Sequence, residues 1–550
     1  MTGKAVLTEL AKSIGATLVV FAVIESLVRV AYFVRDSMVD YVPLPYVIGQ
    51  SYGPMPPWLD GLRILEPDET LIWKNRPILQ RKYIDVFSPI HREEDRTALL
   101  RQFLPGLPDS LKDKPVWEIS LNSTGFRDGE FPETKPSSTF RIICLGDSWT
   151  FGANVGQQDA YPQRLQALLR QEFPKADFKV FNLGVLGYSS YQGLELLKKN
   201  VNEFLPDLVV IAFAMNDSNI GGSRDKDIPA HNQKENTLIK TLNRILERIE
   251  SYKLLRYWAQ IIRSQPGSIG DQMSATDKSA QKLEEAVDYE KHEPWVRVSP
   301  NDYKRNIHAM IDLARRHKAG VILLYNQLSA DAGEVAGVAR LGLPSVYRMA
   351  LEEISRAEGV PLVDSSVLIR KARRRIEEGL ESKLNLRVHP ARRTRADGEV
   401  EVIFRVYSAD WPVAKALYIA GAHPKLRELV PNRIAMYDDG THGDQKAGDK
   451  VWSYSASFPP GTSLFYVYTN SGEEEKWEGL DIPHVRSFKV EAKDHEDKIY
   501  RPIESFGTIH MQADGWHTNA VGYELIAKAL LGKLKEDARV NRYREQIAAN

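Results

Sequence analysis

Cysteine and net charge are what this sequence has least of. Its 550 residues contain one cysteine, Cys144, so an intramolecular disulfide framework is excluded. That thiol lies inside an apolar run and reads as core packing rather than chemistry. The lack of disulfides leaves the compartment open. Lys plus Arg and Asp plus Glu number 73 each, so the charge balance gives no argument for a nucleic-acid partner. A Gly-x-Ser-x-Gly elbow between a strand and a helix is also missing; the pentapeptide at 49–53 that matches the letters stands among prolines. An ordinary α/β-hydrolase therefore fits poorly. What remains is a chain with 43% apolar residues, long enough to bury more than one core.

The rest is organised around Leu145-Gly146-Asp147-Ser148-Trp149-Thr150-Phe151-Gly152. Arg141 to Leu145 is a short β-rich apolar run, and Tyr161 to Leu169 has helical periodicity. Ser148 thus stands where a strand ends and the chain turns toward a helix, the place where ligands gather in an open parallel sheet. Gly146 permits a tight turn, and Asp147 can hold the loop through nearby amides. A serine hydroxyl is a poor nucleophile until a base takes its proton. Without such a base the tripeptide is a plain turn.

Taken in order, the chain opens on Ile14–Val34, 21 mostly apolar residues interrupted by Glu25 and Arg29. That length spans a bilayer, and the i, i+4 spacing lets the two charges pair. A helix packed on a soluble domain is the alternative. No small-residue cleavage site follows, and the flanking charges favour an N-terminus inside with the remainder outside. Residues 1–36 are expected to be a single-pass membrane anchor with the rest extracytoplasmic. Residues 37–137 form a proline-rich extension, in which Asn122 to Asp128 reads as a turn with an exposed aromatic and cation. From 138 strands and helices alternate, with further strands at 178–182, 208–213, 321–325 and 360–363. This pattern predicts a parallel sheet covered on both faces. The long polar stretch 222–300 reads as a cap or flank.

Between 385 and 491 the texture becomes that of a β-sandwich, with strands near 402–407, 415–420, 451–456 and 464–468. Helical texture resumes across 492–540. The sandwich is therefore an insert in the α/β domain of 138–384. Because it leaves just before Asp514 and His517, it is expected near the active-site face.

Three clusters answer the question of the base. Asn182-Leu183-Gly184-Val185-Leu186-Gly187 follows the second strand, and its glycines let a backbone amide approach a ligand. Ala214-Met215-Asn216-Asp217 follows the third strand. Asp514-Gly515-Trp516-His517 precedes the last helix. Each has a plain alternative as a turn or a helix cap, and Asp439-Gly440-Thr441-His442 repeats the Asp-x-x-His spacing inside the sandwich. The order and placement of the clusters single out the first set.

This constellation resembles the SGNH (GDSL-type) hydrolase superfamily in four motif blocks. The resemblance implies a flavodoxin-like α/β fold and a serine esterase. Ser148 would be the nucleophile, His517 the general base and Asp514 its orienting carboxylate. The N–H groups of Ser148 and Gly187 with the Asn216 amide would form the oxyanion hole. Ala214 departs from the family's usual glycine and bears on substrate size. The insert resembles starch-binding-type carbohydrate-binding modules, with Trp477 at a sugar-stacking position and Leu429 where a second Trp is usual. Asp438, Asp439, Asp444 and Asp449 offer the oxygen ligands calcium takes, but their spacing is not that of an EF-hand and a hairpin connection is preferred. No metal or cofactor is expected. The reading is a membrane-anchored esterase removing acyl, chiefly O-acetyl, groups from a carbohydrate or small ester. A glycan O-acetyltransferase using the same triad and a non-catalytic glycan-binding surface protein are the alternatives.

Overall fold

The computed structural model describes residues 3–38, 42–43, 64–84, 116–218, 224–229, 241–242, 245–263, 296–326, 343–386, 398–408, 413–470, 486–490, 498–506 and 517–549, less positions 133, 154, 414, 422, 430 and 431. By internal contacts the chain divides into two units. One comprises Met1–Val86, Glu93–Glu130 and Ser223–Glu293, the other Phe87–Arg92, Phe131–Gly222 and Pro294–Asn550.

The larger unit is built on five parallel strands: β1 (Thr139–Gly146), β2 (Asp177–Gly184), β3 (Leu208–Ala212), β4 (Gly320–Tyr325) and β5 (Leu362–Asp364). Their spatial order is 2-1-3-4-5. This is the expected flavodoxin-like order, whose switch point lies between β1 and β3. Every residue of β1, β3 and β4 is buried. That is why the strands read as unbroken apolar runs.

Phe140, Ile142 and Cys144 face one core. It is closed by α2 (Tyr161–Glu172), α7 (Ala520–Glu536) and α8 (Ala538–Ala549). Helices α3 (Ser190–Phe204), α4 (Pro300–Arg316) and α5 (Leu343–Glu358) pack as a neighbouring series. The cysteine is fully buried and free, as its position suggests.

After α6 (Ser365–Lys383) come β6 (Val400–Tyr407), β7 (Leu417–Gly421), β8 (Ile434–Ala435), β9 (Val451–Phe458), β10 (Ser463–Asn470) and β11 (Arg486–Lys489). They form two sheets around a core of Val402, Phe404, Leu417, Ile419, Leu464 and Tyr466 among others. The sandwich does not stop at 491. Strands β12 (Lys498–Tyr500) and β13 (Glu504–Ser505) both pair in parallel with β6, a register that local periodicity does not reveal. Glu504, 5% exposed, supplies the reason. It accepts from Tyr466 Oη at 2.7 Å and Tyr468 Oη at 2.6 Å and pairs with Arg486 and Arg501.

The insert is fastened to the far end of α6. Arg405, almost fully buried, pairs with Glu381, and Ser505 N donates to Glu377 Oε1 at 3.1 Å. Leu380, Leu386, Val451 and Ile503 close a small apolar cluster there. These carboxylates lie roughly 18–24 Å along the helix from Ser365, where α6 leaves the C-terminal edge of the sheet. The expected attachment beside the active-site face is corrected accordingly: the mount is toward the opposite edge.

In the smaller unit the N-terminal helix runs Gly3–Met38. Its stretch Lys12–Val34 is long and apolar enough to cross a membrane and is not buried. Glu25 and Arg29 pair at 2.7 Å, as their spacing suggests. They also do something the spacing does not announce. Glu25 accepts from Glu250 N at 3.0 Å, Ser251 N at 2.9 Å and Ser251 Oγ at 2.8 Å, while Arg29 Nη2 donates to the Arg248 carbonyl at 2.6 Å. The carboxylate thereby caps the helix Glu250–Arg263, satisfying amides that a helix start leaves without partners. So part of the stretch read as a cap or flank of the catalytic domain groups instead with the N-terminal helix. In the same unit Leu79–Ile84 pairs with Val116–Leu121 and Val42–Pro43. In the 122–128 turn Ser123 and Thr124 are exposed, but the aromatic and the cation are not. Phe126 and Arg127 are buried, and Arg127 Nη2 donates to the Glu118 carbonyl at 2.9 Å.

Candidate active site

Strand register brings the site loops to one level. Gly146 at the end of β1 stands opposite Gly184 on β2 and Ala212 on β3. The chain therefore leaves three adjacent strands side by side. The first exit is the short helix α1 (Ser148–Phe151), with Asp147 as N-cap accepting from Trp149 N at 3.0 Å. The glycines here provide space rather than flexibility. A Cβ on Gly146 would meet Thr150 Oγ1 at 2.0 Å, and one on Gly184 would meet Phe151 N at 2.1 Å. Gly184 thus admits α1 against β2, where a ligand amide was expected.

Ser148 Oγ lies 2.8 Å from His517 Nε2. That contact joins residues separated by 369 positions. The imidazole is carried by the loop before α7. Asn519 caps that helix by accepting from Val521 N at 3.1 Å and Gly522 N at 3.3 Å. A Cβ on Gly522 would meet Thr518 Oγ1 at 1.7 Å, so only glycine lets the helix close on the residue beside His517. Trp149, fully buried, packs with its ring centroid 6.3 Å from His517 and 6.1 Å from Tyr523. Asp514 lies outside the described residues, as does Trp477.

Gly187 has φ +75°, a left-handed conformation that favours glycine. Among the described residues neither its N–H nor that of Ser148 meets an acceptor. Asn216 opens a 3₁₀ turn after β3. Its Nδ2 donates to Asp147 Oδ2 at 3.2 Å and to the Tyr188 carbonyl at 3.1 Å. The amide is thus fixed between the loops that carry Ser148 and Gly187. The neighbouring Asp217 serves a different end: its Oδ1 accepts from Ser190 N at 2.9 Å and Ser190 Oγ at 2.5 Å, anchoring the start of α3. Ala214 is buried.

Asp147 is 1% exposed. Burial pushes its carboxyl up to about 6, against the Trp149 amide, the charge of His517 and the Asn216 amide, which all favour the ionised form. A titrating carboxyl next to a nucleophile is the type of perturbation that marks functional sites.

One contributor was not visible in the sequence. Arg297 donates through Nη1 to the Gly187 carbonyl at 2.8 Å and through Nη2 to Gln192 Oε1 at 2.8 Å, fixing the Gly187 turn to α3. A cation 110 residues from its acceptor carries no local signal.

The second Asp-x-x-His has other partners. His442 stacks on Tyr437 with ring centroids 3.8 Å apart, and its Nδ1 meets Thr441 Oγ1 at 2.7 Å. Carboxylate oxygens of Asp438, Asp444 and Asp449 lie within 4.8 Å of one another. Backbone amides occupy much of their capacity: Asp438 accepts from Gly448, Asp449 and Lys450, Asp444 from Gly440 and Lys446, and Asp449 from Val451. They organise the hairpin connection.

The GDSL-like lipase/acylhydrolase family matches residues 144–393. No curated protein matches the chain. Similar solved structures include TesA, at 18% identity over 40% of this chain and 76% of its own, with a TM-score of 0.23. AlinE4, an SGNH-hydrolase family esterase, is 15% identical over 42% and 77%, with a TM-score of 0.23. A carbohydrate acetylesterase family member from Sinorhizobium meliloti is 12% identical over 42% and 84%, with a TM-score of 0.23.

Proposed function

We propose that this chain, whose residues 144–393 match the GDSL-like lipase/acylhydrolase family, is a membrane-anchored serine esterase acting on O-acetylated carbohydrate. The observation that carries the reading is the 2.8 Å contact between Ser148 Oγ and His517 Nε2, within the reach a general base needs.

In the proposed cycle Ser148 Oγ attacks the acyl carbonyl carbon as its proton passes to His517 Nε2. The oxyanion is met by the N–H groups of Ser148 and Gly187 and by the Asn216 amide, which exchanges its hydrogen bond to Asp147 for one to the oxyanion. Asp514 holds the other imidazole nitrogen. Collapse breaks the ester C–O bond, and the sugar oxygen takes the proton from His517 and leaves as the hydroxyl, so that an acyl-enzyme remains. Water then attacks with its proton going to His517; the second collapse expels Ser148 Oγ, which takes that proton back as the carboxylic acid departs. The sandwich supports a carbohydrate substrate through its resemblance to glycan-binding modules, with Trp477 as a sugar contact. The apolar stretch Lys12–Val34 supports a single-pass anchor, and the charges that flank it favour a catalytic domain outside the cytoplasm.

The test is labelling of the full chain with a fluorophosphonate, followed by incubation with acetylated sugars. Labelling at Ser148 with release of free acetate is expected. Transfer of acetyl to a second sugar without release would make the enzyme an O-acetyltransferase, and no labelling would defeat the nucleophile assignment.

A further inference from the structure

The sandwich carries a groove on its β8 side with a cavity volume of about 520 Å³, inside the range of small-ligand sites. Arg427, Arg433, Tyr437, His442 and Tyr454 line it together with Lys425. The cations are not equivalent. Lys425 Nζ meets Glu399 Oε1 at 2.8 Å and Oε2 at 2.9 Å and the Ser457 carbonyl at 2.7 Å, so its charge is answered. Among the described residues Arg427 and Arg433 have neither an ion-pair nor a hydrogen-bond partner. Among the described residues the groove therefore presents two guanidiniums with no carboxylate partner, each a planar fork suited to a carboxylate.

The aromatic part is as specific. Tyr437 and His442 are stacked nearly parallel, 12° apart, with His442 held by Thr441, itself bonded to Asp439. Tyr454 is half-buried. Arg427 and His442 both adopt left-handed backbone, with φ +61° and +53°. For residues with a Cβ this conformation costs energy, and such costs gather where a side chain must be aimed.

We propose that this groove binds an acidic polysaccharide, its uronate carboxylates paired with Arg427 and Arg433 and its pyranose faces laid on the tyrosine and histidine rings. Pyranose rings have an apolar face that aromatic side chains receive at small entropic cost, and guanidinium pairs fix the register of the anionic chain. The proposal rests on the carbohydrate reading of the substrate and sharpens it from glycan to acidic glycan. Trp477 and the Leu429 side chain, where the resemblance puts sugar contacts, lie outside what the structure describes.

The test uses the full chain in detergent with Ser148→Ala, so that binding is measured without turnover. Its retention by polygalacturonate and by neutral amylose is compared in affinity electrophoresis. Polygalacturonate is expected to retain the protein and amylose to retain it at least tenfold less. Arg427→Gln with Arg433→Gln should weaken polygalacturonate binding at least tenfold at an unchanged melting temperature, and the corresponding pair of lysine substitutions, which keep the charge but not the fork, should restore only part of it. Equal retention by both polymers, retention by neither, or full retention of the glutamine variant would overturn the site. Acetate release by the wild type from acetylated sugars is scored separately, so failure of the groove and failure of the esterase reading are told apart.

Discussion

The amide of Asn216 donates to the buried carboxylate of Asp147 at 3.2 Å. The residue before Ser148 thereby holds the amide proposed as an oxyanion donor, and the two strand ends of the switch point form one unit. Replacing Asn216 by Ala should lower kcat by roughly 10²–10³-fold with little change in KM. Steady-state kinetics on p-nitrophenyl acetate decides it; a pure KM effect would assign Asn216 to ground-state binding.

Ser148→Ala should reduce hydrolysis by on the order of 10⁴-fold or more, because nucleophile and base act as a unit. Turnover of p-nitrophenyl acetate by the purified variant measures it directly, and near-normal rates would remove Ser148 from the chemistry.

Asp147 ties stability to pH. Burial raises its folded pKa from 3.8 to about 6. Between those values the native protein holds a proton that the unfolded chain has released. The associated stability is fully present below about pH 4 and is lost as pH rises through 6, by about 3 kcal/mol. Asp147→Asn removes this limb. Urea unfolding at pH 4.5 and pH 7 should therefore show the variant gaining on the wild type as pH rises. A constant difference between the two proteins would mean that Asp147 titrates normally.

Arg297 acts through the Gly187 turn. Arg297→Ala should lower kcat by roughly tenfold, as expected when a preorganised donor loses its support, and KM should change less. Partial rescue by Arg297→Lys would separate positioning from general loosening. Equal loss in both variants with a lowered melting temperature would point to stability alone.

Glu25 changes what removal of the anchor does. Deleting residues 1–36 should yield protein that fractionates without detergent and keeps p-nitrophenyl acetate turnover, since Ser148 and His517 belong to the other unit. The amides of Glu250 and Ser251 lose their acceptor, so hydrogen exchange in Glu250–Arg263 should accelerate. Exchange unchanged by the deletion would mean that the cap contributes nothing.

The five central strands were legible to within about two residues because burial on both faces leaves an apolar run that periodicity detects. Ser148 and His517 were legible because strand ends and a helix start bracket them. What escaped was charge meeting backbone at long range. Arg297 reaching Gly187, Glu25 capping the helix at 250 and Arg127 burying itself against Glu118 leave no spacing in the sequence. The parallel addition of β12 and β13 to β6 escaped for a related reason: parallel neighbours are set by distant pairing, not by a turn.

Ser148 and His517, the proposed nucleophile and base, are made far apart in time as well as in sequence. With 369 positions between Ser148 and His517, a ribosome adding about 5–20 residues per second needs some tens of seconds to supply the second after the first. Helix α7, which seats the imidazole loop, also completes the core over α2. The nascent chain therefore has Ser148 without its proposed base until those 369 further positions have been added. If this pair does the chemistry, the chain is silent until the helix at 520 has joined the fold, and activity reports that closure.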